Sequence, residues 1–146
     1  WDFVKANPDR LPDYLAEMRR TEHALSVIDR FAKQDLVMVN AGARDVRIPQ
    51  GARVFGVLAS ANRDELVFGP DADEFKPGRP NADLHLGLGY GTHACMGRAL
   101  EQLITEPTIT RLATAMPGLR LQSAAQPPWF DNFYFRSFDH LAVTLK

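Results

Sequence analysis

Apolar residues recur at helical intervals near the start of the chain. Pro8 suits the first turn of a helix. The apolar positions that follow it are Leu11, Tyr14, Leu15 and Met18. A second set at similar spacing contains Leu25, Ile28 and Phe31. The pattern predicts paired helices over residues 8–32, the second running from about Glu22 to Phe31.

The middle of the chain is rich in short runs of β-branched residues. These runs cover residues 36–39, 45–48 and 53–58, and together they predict a β-rich segment over 36–58. Pro49-Gln-Gly51 separates the last two runs and is typical of a turn. Prolines and glycines then indicate an ordered, irregular loop from Gly69 onward.

The C-terminal part begins with another helical pattern. This pattern runs over residues 96–116 and stops before Pro117-Gly118. Two strand-like runs follow, at 119–121 and 141–145, within a C-terminal β and loop region. An aromatic loop between them extends from Trp129 to Phe138.

Composition excludes several classes of function. The 146 residues have a net charge of −1 and no block of like charge, which argues against nucleic acid or an anionic membrane as a partner. No apolar run reaches the roughly 18 residues that a membrane span needs. One cysteine cannot form an intramolecular disulfide, so we expect a cytoplasmic protein. Because the chain starts at Trp1, we also expect a fragment.

The most informative stretch contains that cysteine. Residues 85–100 read HLGLGYGTHACMGRAL, so glycines precede Cys95 and a helical pattern follows it. Glycines let a backbone turn tightly and approach a flat partner closely. A cysteine at a helix N-terminus favours the thiolate, which is the metal-binding form. His93 lies two residues before it.

Other roles for Cys95 are weaker. A lone cysteine is often a small buried hydrophobe. A zinc site needs about four ligands, and the four histidines are scattered. A nucleophilic cysteine needs a histidine presented by another element, and the sequence marks none.

This stretch resembles the haem-ligand loop of cytochromes P450, and His-x-Cys resembles the bacterial branch. The family pattern is aromatic, Gly, x, Gly, x, basic, x, Cys, apolar, Gly. Residues 88–97 read LGYGTHACMG, which fits at every position but the first. Cysteine thiolate on haem iron favours cleavage of the O–O bond.

The resemblance implies a role for each loop residue. Cys95 would ligate the iron of haem b, and Gly89, Gly91 and Gly97 would shape the loop. His93 would face a haem propionate, and His85 would do similar work or cap the loop. Leu88 stands where the family has an aromatic residue. We expect no catalytic residue in this chain beyond Cys95.

The rest of the chain is also similar to the family. It implies an α+β fold, mostly helical with small sheets, that forms the C-terminal portion of a single P450 domain. Residues 44–54 resemble the family's strand–turn–strand, and Arg79 fits an arginine in the family's meander. The predicted segments are paired helices 8–32, β-rich 36–58, meander 69–84, haem loop 85–97, helix 96–116 and C-terminal region 117–146.

Three departures from the family pattern are expected. The family has Glu-x-x-Arg on the helix before the strands, and aligning by apolar pattern puts Val27 at the glutamate and Arg30 at the arginine. Leu88 replaces the aromatic residue. Pro107 would bend the last helix or break it, with a restart at Thr108. The family's propionate-binding arginine cannot be identified from sequence.

The resemblance implies that the intact protein is a monooxygenase. It would activate O2, insert oxygen into an apolar small molecule and take electrons from a ferredoxin or reductase. The aromatic loop would pack in the core or line the substrate pocket. We expect the isolated chain to be inactive. Two alternatives stay open: a peroxide-using peroxygenase or hydroperoxide isomerase, and a degenerate, non-catalytic P450-like module.

Overall fold

The computed structural model describes residues 1–39, 44–123 and 127–145. Parts of the predicted segments 36–58 and 117–146 therefore lie outside the described residues. The α-helices are α1 (Asp2–Ala6), α2 (Leu11–Thr21), α3 (Leu58–Ala61), α4 (Glu65–Phe68) and α5 (Arg98–Ala115). Short 3-10 helices cover Pro8–Arg10, Ala82–Leu84 and Gly91–His93.

The described strands form three two-stranded antiparallel sheets. The strands are β1 (Val27–Phe31), β2 (Leu36–Met38), β3 (Val46–Ile48), β4 (Arg53–Val57), β5 (Leu119–Leu121) and β6 (Val143–Leu145). The pairs are β1 with β4, β2 with β3, and β5 with β6. All but β1 lie within runs that the sequence predicts as strands, because β-branched residues favour a pleated surface.

The second predicted helix is wrong, since α2 ends at Thr21 and residues 27–31 form β1. Each residue of β1 has a partner in β4, with Val27 opposite Val57 and Phe31 opposite Arg53. Apolar residues at intervals of three fit a helix, but pairing with a strand more than 20 residues away decides the outcome. Tertiary pairing therefore overrides the local pattern.

The apolar core joins the N-terminal helices to α5. Val4, Leu11 and Leu15 are buried together, and Ile109 and Ala113 of α5 pack against them. Leu15 is 1% exposed, and burying a leucine side chain contributes about 1.5–3 kcal/mol. The predicted face of α2 is thus confirmed as the core-facing one.

A second buried cluster is ionic and centres on Glu17, which is 0% exposed. Its carboxylate accepts hydrogen bonds from Arg20 Nε at 2.8 Å and Nη2 at 2.7 Å, and from Arg79 Nε at 3.1 Å. The backbone N–H of Lys76 donates to it at 2.9 Å. Burial favours a higher pKa for Glu17, but these donors outweigh it and hold the pKa below its usual value.

The two arginines of this cluster also bind backbone carbonyls of the meander. Arg20 Nη1 donates to Asn62 O at 2.7 Å and to Ala72 O at 2.6 Å. Arg79 donates to Phe68 O and to the Asp71 carboxylate, each at 2.7 Å. The cluster therefore fastens the irregular segment before the Cys95 loop to helix α2.

The departure expected at Val27 is wrong. The Glu-x-x-Arg pair is Glu17-Met-Arg-Arg20 on α2, and it binds Arg79 as the family pattern requires. Val27 lies half-buried in β1, and Arg30 is exposed at the same strand. Reading β1 as a helix moved the motif ten residues along the chain. The prediction for Arg79 is confirmed.

Helix α5 continues through Pro107 without a break, so a restart at Thr108 is wrong. Proline has no N–H, so Pro107 cannot donate the helical hydrogen bond to the carbonyl of Leu103, four residues earlier. Pro107 is exposed, which leaves that side of the helix open to water. The observed helix lies within the predicted range 96–116.

The aromatic loop is not core in the described structure. Phe133 is 66% exposed, Phe135 52% and Phe130 49%. Its rings contact each other and the sheet edge, with Trp129 and Phe138 centroids 4.4 Å apart and Phe133 5.6 Å from Phe55. The expectation that these rings fill the core is therefore wrong.

Within the described residues, no helix combines the length and apolarity needed to cross a membrane.

Candidate functional site

The loop before Cys95 folds back on itself. Gly89 and Gly91 have φ of 73° and 63°, the left-handed region that favours glycine. A Cβ added to Gly89 would lie 2.9 Å from the carbonyl oxygen of His93. The N–H of Cys95 donates to Leu88 O at 2.8 Å and closes the loop. The predicted shaping role of these two glycines has a direct geometric basis.

Cys95 is a free, exposed thiol just ahead of α5. Its carbonyl accepts the N–H of Arg98, the first helical residue, at 3.2 Å. Gly97 is the N-cap residue, and a Cβ there would be 3.6 Å from Cys95 Sγ, an ordinary contact. The sulfur therefore lies beside the N-terminal end of α5.

Cys95 lines a cavity of about 610 Å³. Its walls are largely apolar and include Met18, Leu25, Ile28, Leu58, Leu86 and Phe135. Of the predicted site residues, Leu88, Gly89, His93 and Cys95 line it. His85, Gly91 and Gly97 are not among its lining residues, so their contribution is to the shape of the loop.

His85 caps the loop and does not reach the cavity. It is 6% exposed, and its Nδ1 accepts the N–H of Gly87 at 3.1 Å. Burial, followed by the positive charges of Arg98 and Arg19, lowers the pKa of His85, so the ring is neutral near pH 7. This hydrogen bond agrees with the capping alternative, and a contact of His85 with the cofactor stays a prediction.

Two polar residues that line the cavity are not predicted as site residues from the sequence. Arg30 lines the cavity and gives it a cation whose Nη1 also donates to Asp29 O at 2.7 Å. His23 lines it as well and is 6% exposed, with Nδ1 3.0 Å from Arg20 O. Burial lowers the pKa of His23. The sequence pattern predicts a helix where Arg30 lies in β1, and no motif marks His23 as a site residue.

The cavity suits a flat, apolar group that carries one metal and acidic substituents. It offers one thiol, apolar walls, and the side chains of Arg30 and His93 for carboxylates. The Nε2 atom of His23 is buried and has no hydrogen-bond partner among the described residues, so the wall keeps an unused polar atom. No group of three or more described His, Cys, Asp or Glu side chains could hold a metal ion by itself. The residues present fit a haem.

Comparisons with known proteins agree with this geometry. The family model for cytochrome P450 matches residues 11–112. A steroid C26-monooxygenase of Mycolicibacterium smegmatis is 34% identical over 128 residues, covering 88% of this chain and 30% of the relative. A 6-deoxyerythronolide B hydroxylase of Saccharopolyspora erythraea is 34% identical over 144 residues, covering 98% of this chain and 34% of the relative.

Solved structures place the chain in the same fold. The haem domain of CYP116B5 from Acinetobacter radioresistens superimposes with a TM-score of 0.86 at 30% identity, covering all of this chain and 34% of that one. The chain therefore spans about a third of the proteins it matches, and the predicted fold class, a portion of the P450 fold, is confirmed. The matching family model, the relatives and the shared fold show that the chain belongs to the cytochrome P450 family.

Proposed function

We propose that this chain is the haem-ligand part of a haem-thiolate monooxygenase. The observation that carries the proposal is Cys95, held by a left-handed glycine loop at the wall of an apolar cavity. Overall, O2 and two electrons with two protons would convert a C–H bond of the substrate to C–OH and release one water. The electrons would come from a ferredoxin or reductase.

The chain's own residues bind and orient the cofactor, proposed to be haem b. A haem bound through sulfur supplies electron-rich iron that favours O–O cleavage. Cys95 is the proposed ligand that would hold the iron through its sulfur, at the N-terminal end of α5. Arg30 and His93 line the same cavity and would form charge-assisted hydrogen bonds to the cofactor's carboxylates.

The substrate is proposed to be an apolar small molecule. Leu25 lines the cavity from the segment before β1, Ile28 from β1 itself and Phe135 from the aromatic loop. These side chains offer no hydrogen bond, so they exclude water and favour apolar ligands. The names of two relatives, a steroid C26-monooxygenase and a 6-deoxyerythronolide B hydroxylase, are consistent with this class.

The degenerate, non-catalytic alternative loses most of its support. It depended on a lost glutamate, a broken last helix and the leucine at position 88. Glu17, Arg20 and Arg79 form a complete buried cluster, and α5 is continuous. Leu88 alone remains. The peroxide-using alternative stays distinct, since it needs no electron donor.

Turnover of the full-length protein with labelled O2 tests the proposal. We expect reductant-dependent product that carries one labelled oxygen atom, with the other released as water. Product formed from peroxide without reductant, and none with O2, would instead support the peroxygenase alternative. Because the chain spans about a third of its relatives, we expect the isolated chain to give no product under either condition.

A further inference from the structure

An ion pair joins the end of α2 to the start of α5. Arg19 Nε donates to both oxygens of Glu101, at 3.3 and 3.1 Å, and Nη2 donates to Oε1 at 3.1 Å. The side chains are 10% and 31% exposed. Thr105 Oγ1 donates to the same carboxylate at 3.2 Å. A bidentate, partly buried pair of this kind fixes geometry more firmly than a surface pair.

Arg19 also touches the other end of the Cys95 loop. A Cβ added to Gly87 would collide with the backbone carbonyl oxygen of Arg19, so the loop begins in close contact with α2. Glu101 lies in the first turn of α5, six residues after Cys95. The backbone and the side chain of one residue therefore hold both ends of the segment that carries the sulfur.

The pair is electrostatically suited to its place. Arg19 is in the last turn of α2, where a positive charge interacts favourably with the helix dipole. Glu101 is in the first turn of α5, where a negative charge does so. Arg19 and Glu101 both line the cavity beside Cys95. The neighbouring Arg20 points instead into the buried cluster with Glu17. Adjacent arginines of α2 thus fasten different segments.

We propose that Arg19 is a positioning residue, which holds Cys95 at the distance and orientation needed for ligation by fixing Gly87 and Glu101 against α2. The inference rests on the proposed haem-thiolate function. Loss of the pair would free α5 to shift relative to α2 while the buried Glu17 cluster stays intact. The sulfur would then leave the iron more readily than the protein unfolds.

The test measures ligation separately from folding in the full-length, haem-loaded protein. The ferrous–CO complex has a red-shifted Soret band when thiolate is bound and an unshifted band when it is not. Arg19→Leu is compared with Arg53→Leu, which removes a 2.7 Å ion pair to Asp29 outside the cavity. Both are followed in increasing urea, with far-UV circular dichroism reporting unfolding.

We expect Arg19→Leu to raise the ratio of unshifted to shifted complex about tenfold at urea concentrations where the helices remain folded, given the strength of charge-assisted pairs. Arg19→Lys, which keeps a cation, should restore part of the shifted band. Arg53→Leu should lower the unfolding midpoint without a separate spectral change.

Equal ratios for the two leucine variants at equal fractions folded would overturn the proposal. If Arg19→Leu does not accumulate, Glu101→Gln gives the same decision, because it removes the charge and keeps the side-chain size. Failure of the underlying function looks different: the wild-type protein itself would then never show the red-shifted band.

Discussion

Replacement of Glu17 by glutamine tests the buried ionic cluster directly. The carboxylate is fully buried and accepts four hydrogen bonds, three of them from the guanidinium groups of Arg20 and Arg79 and one from the Lys76 N–H. The substitution keeps the shape but leaves the buried Arg20 without its counter-charge and Arg79 with Asp71 alone. Breaking a buried ion pair on one side costs about 3–5 kcal/mol. We therefore expect the free energy of unfolding to fall by about that amount.

Asp13→Asn is the matched control. Its ion pair with Arg10 is of the same i, i+3 type but about half exposed, at 48% and 47%. Exposed pairs of this kind contribute about 0–1 kcal/mol. Urea denaturation of the full-length protein, followed by far-UV circular dichroism, compares the two variants. A loss for Glu17→Gln no larger than for Asp13→Asn would refute the assignment of the cluster.

Val27→Glu separates this assignment from the alternative register. If Val27 occupied the glutamate position of the motif, a glutamate there would stabilise the protein. In β1 it would instead place a half-buried charge opposite Val57. We expect a lower melting temperature, since an unpaired charge is costly to bury. A higher one would contradict the structure.

Three further predictions concern the loop, the last helix and pH. Gly89→Ala should lower the free energy of unfolding by about 1–2 kcal/mol, because alanine is strained in the left-handed backbone at this position. It should also lower the haem content, and unchanged haem binding would contradict this. Pro107→Ala should raise the free energy of unfolding by up to about 3 kcal/mol in urea denaturation, because it restores a helix hydrogen bond; a loss would indicate that the proline fits its surroundings. Burial lowers the pKa of His23 and His85 below 6.5. As the pH falls, the two histidines therefore take up protons in the unfolded chain before they do so in the folded one. Their contribution to the free energy of unfolding is full above pH 6.5 and decreases as the pH falls below it. Melting temperatures at decreasing pH should show a shallower fall in His23→Asn, and an equal fall would contradict the account.

The sequence predicts those parts of the fold that local chemistry controls. Pro49-Gln-Gly51 forms the expected turn, with Ala52 N–H donating to Pro49 O at 3.0 Å. The strands on either side, and helix α5, also lie within the predicted ranges. Turn residues, β-branched runs and an amphipathic stretch act over a few residues, so they can be interpreted without the tertiary structure.

The wrong second helix and the misplaced motif share one cause, which is pairing at a distance. Strand β1 has apolar residues at helical spacing, and only β4 makes it a strand. Because the pattern predicts a helix where β1 lies, it places the glutamate of the Glu-x-x-Arg motif at Val27, whereas the structure has it at Glu17. The same error assigned Arg30 to the motif, whereas in the structure Arg30 lines the cavity. The burial of His23 also has no local signal in the sequence.

The axial bond from Cys95 to iron is the claim on which the functional account depends. The most direct measurement is the absorption spectrum of the reduced, CO-bound full-length protein, wild type beside Cys95→Ser. The account predicts the red-shifted Soret band in the wild type and its loss in the variant. An unshifted band in freshly prepared wild-type protein, or a red-shifted band that survives in Cys95→Ser, would contradict it.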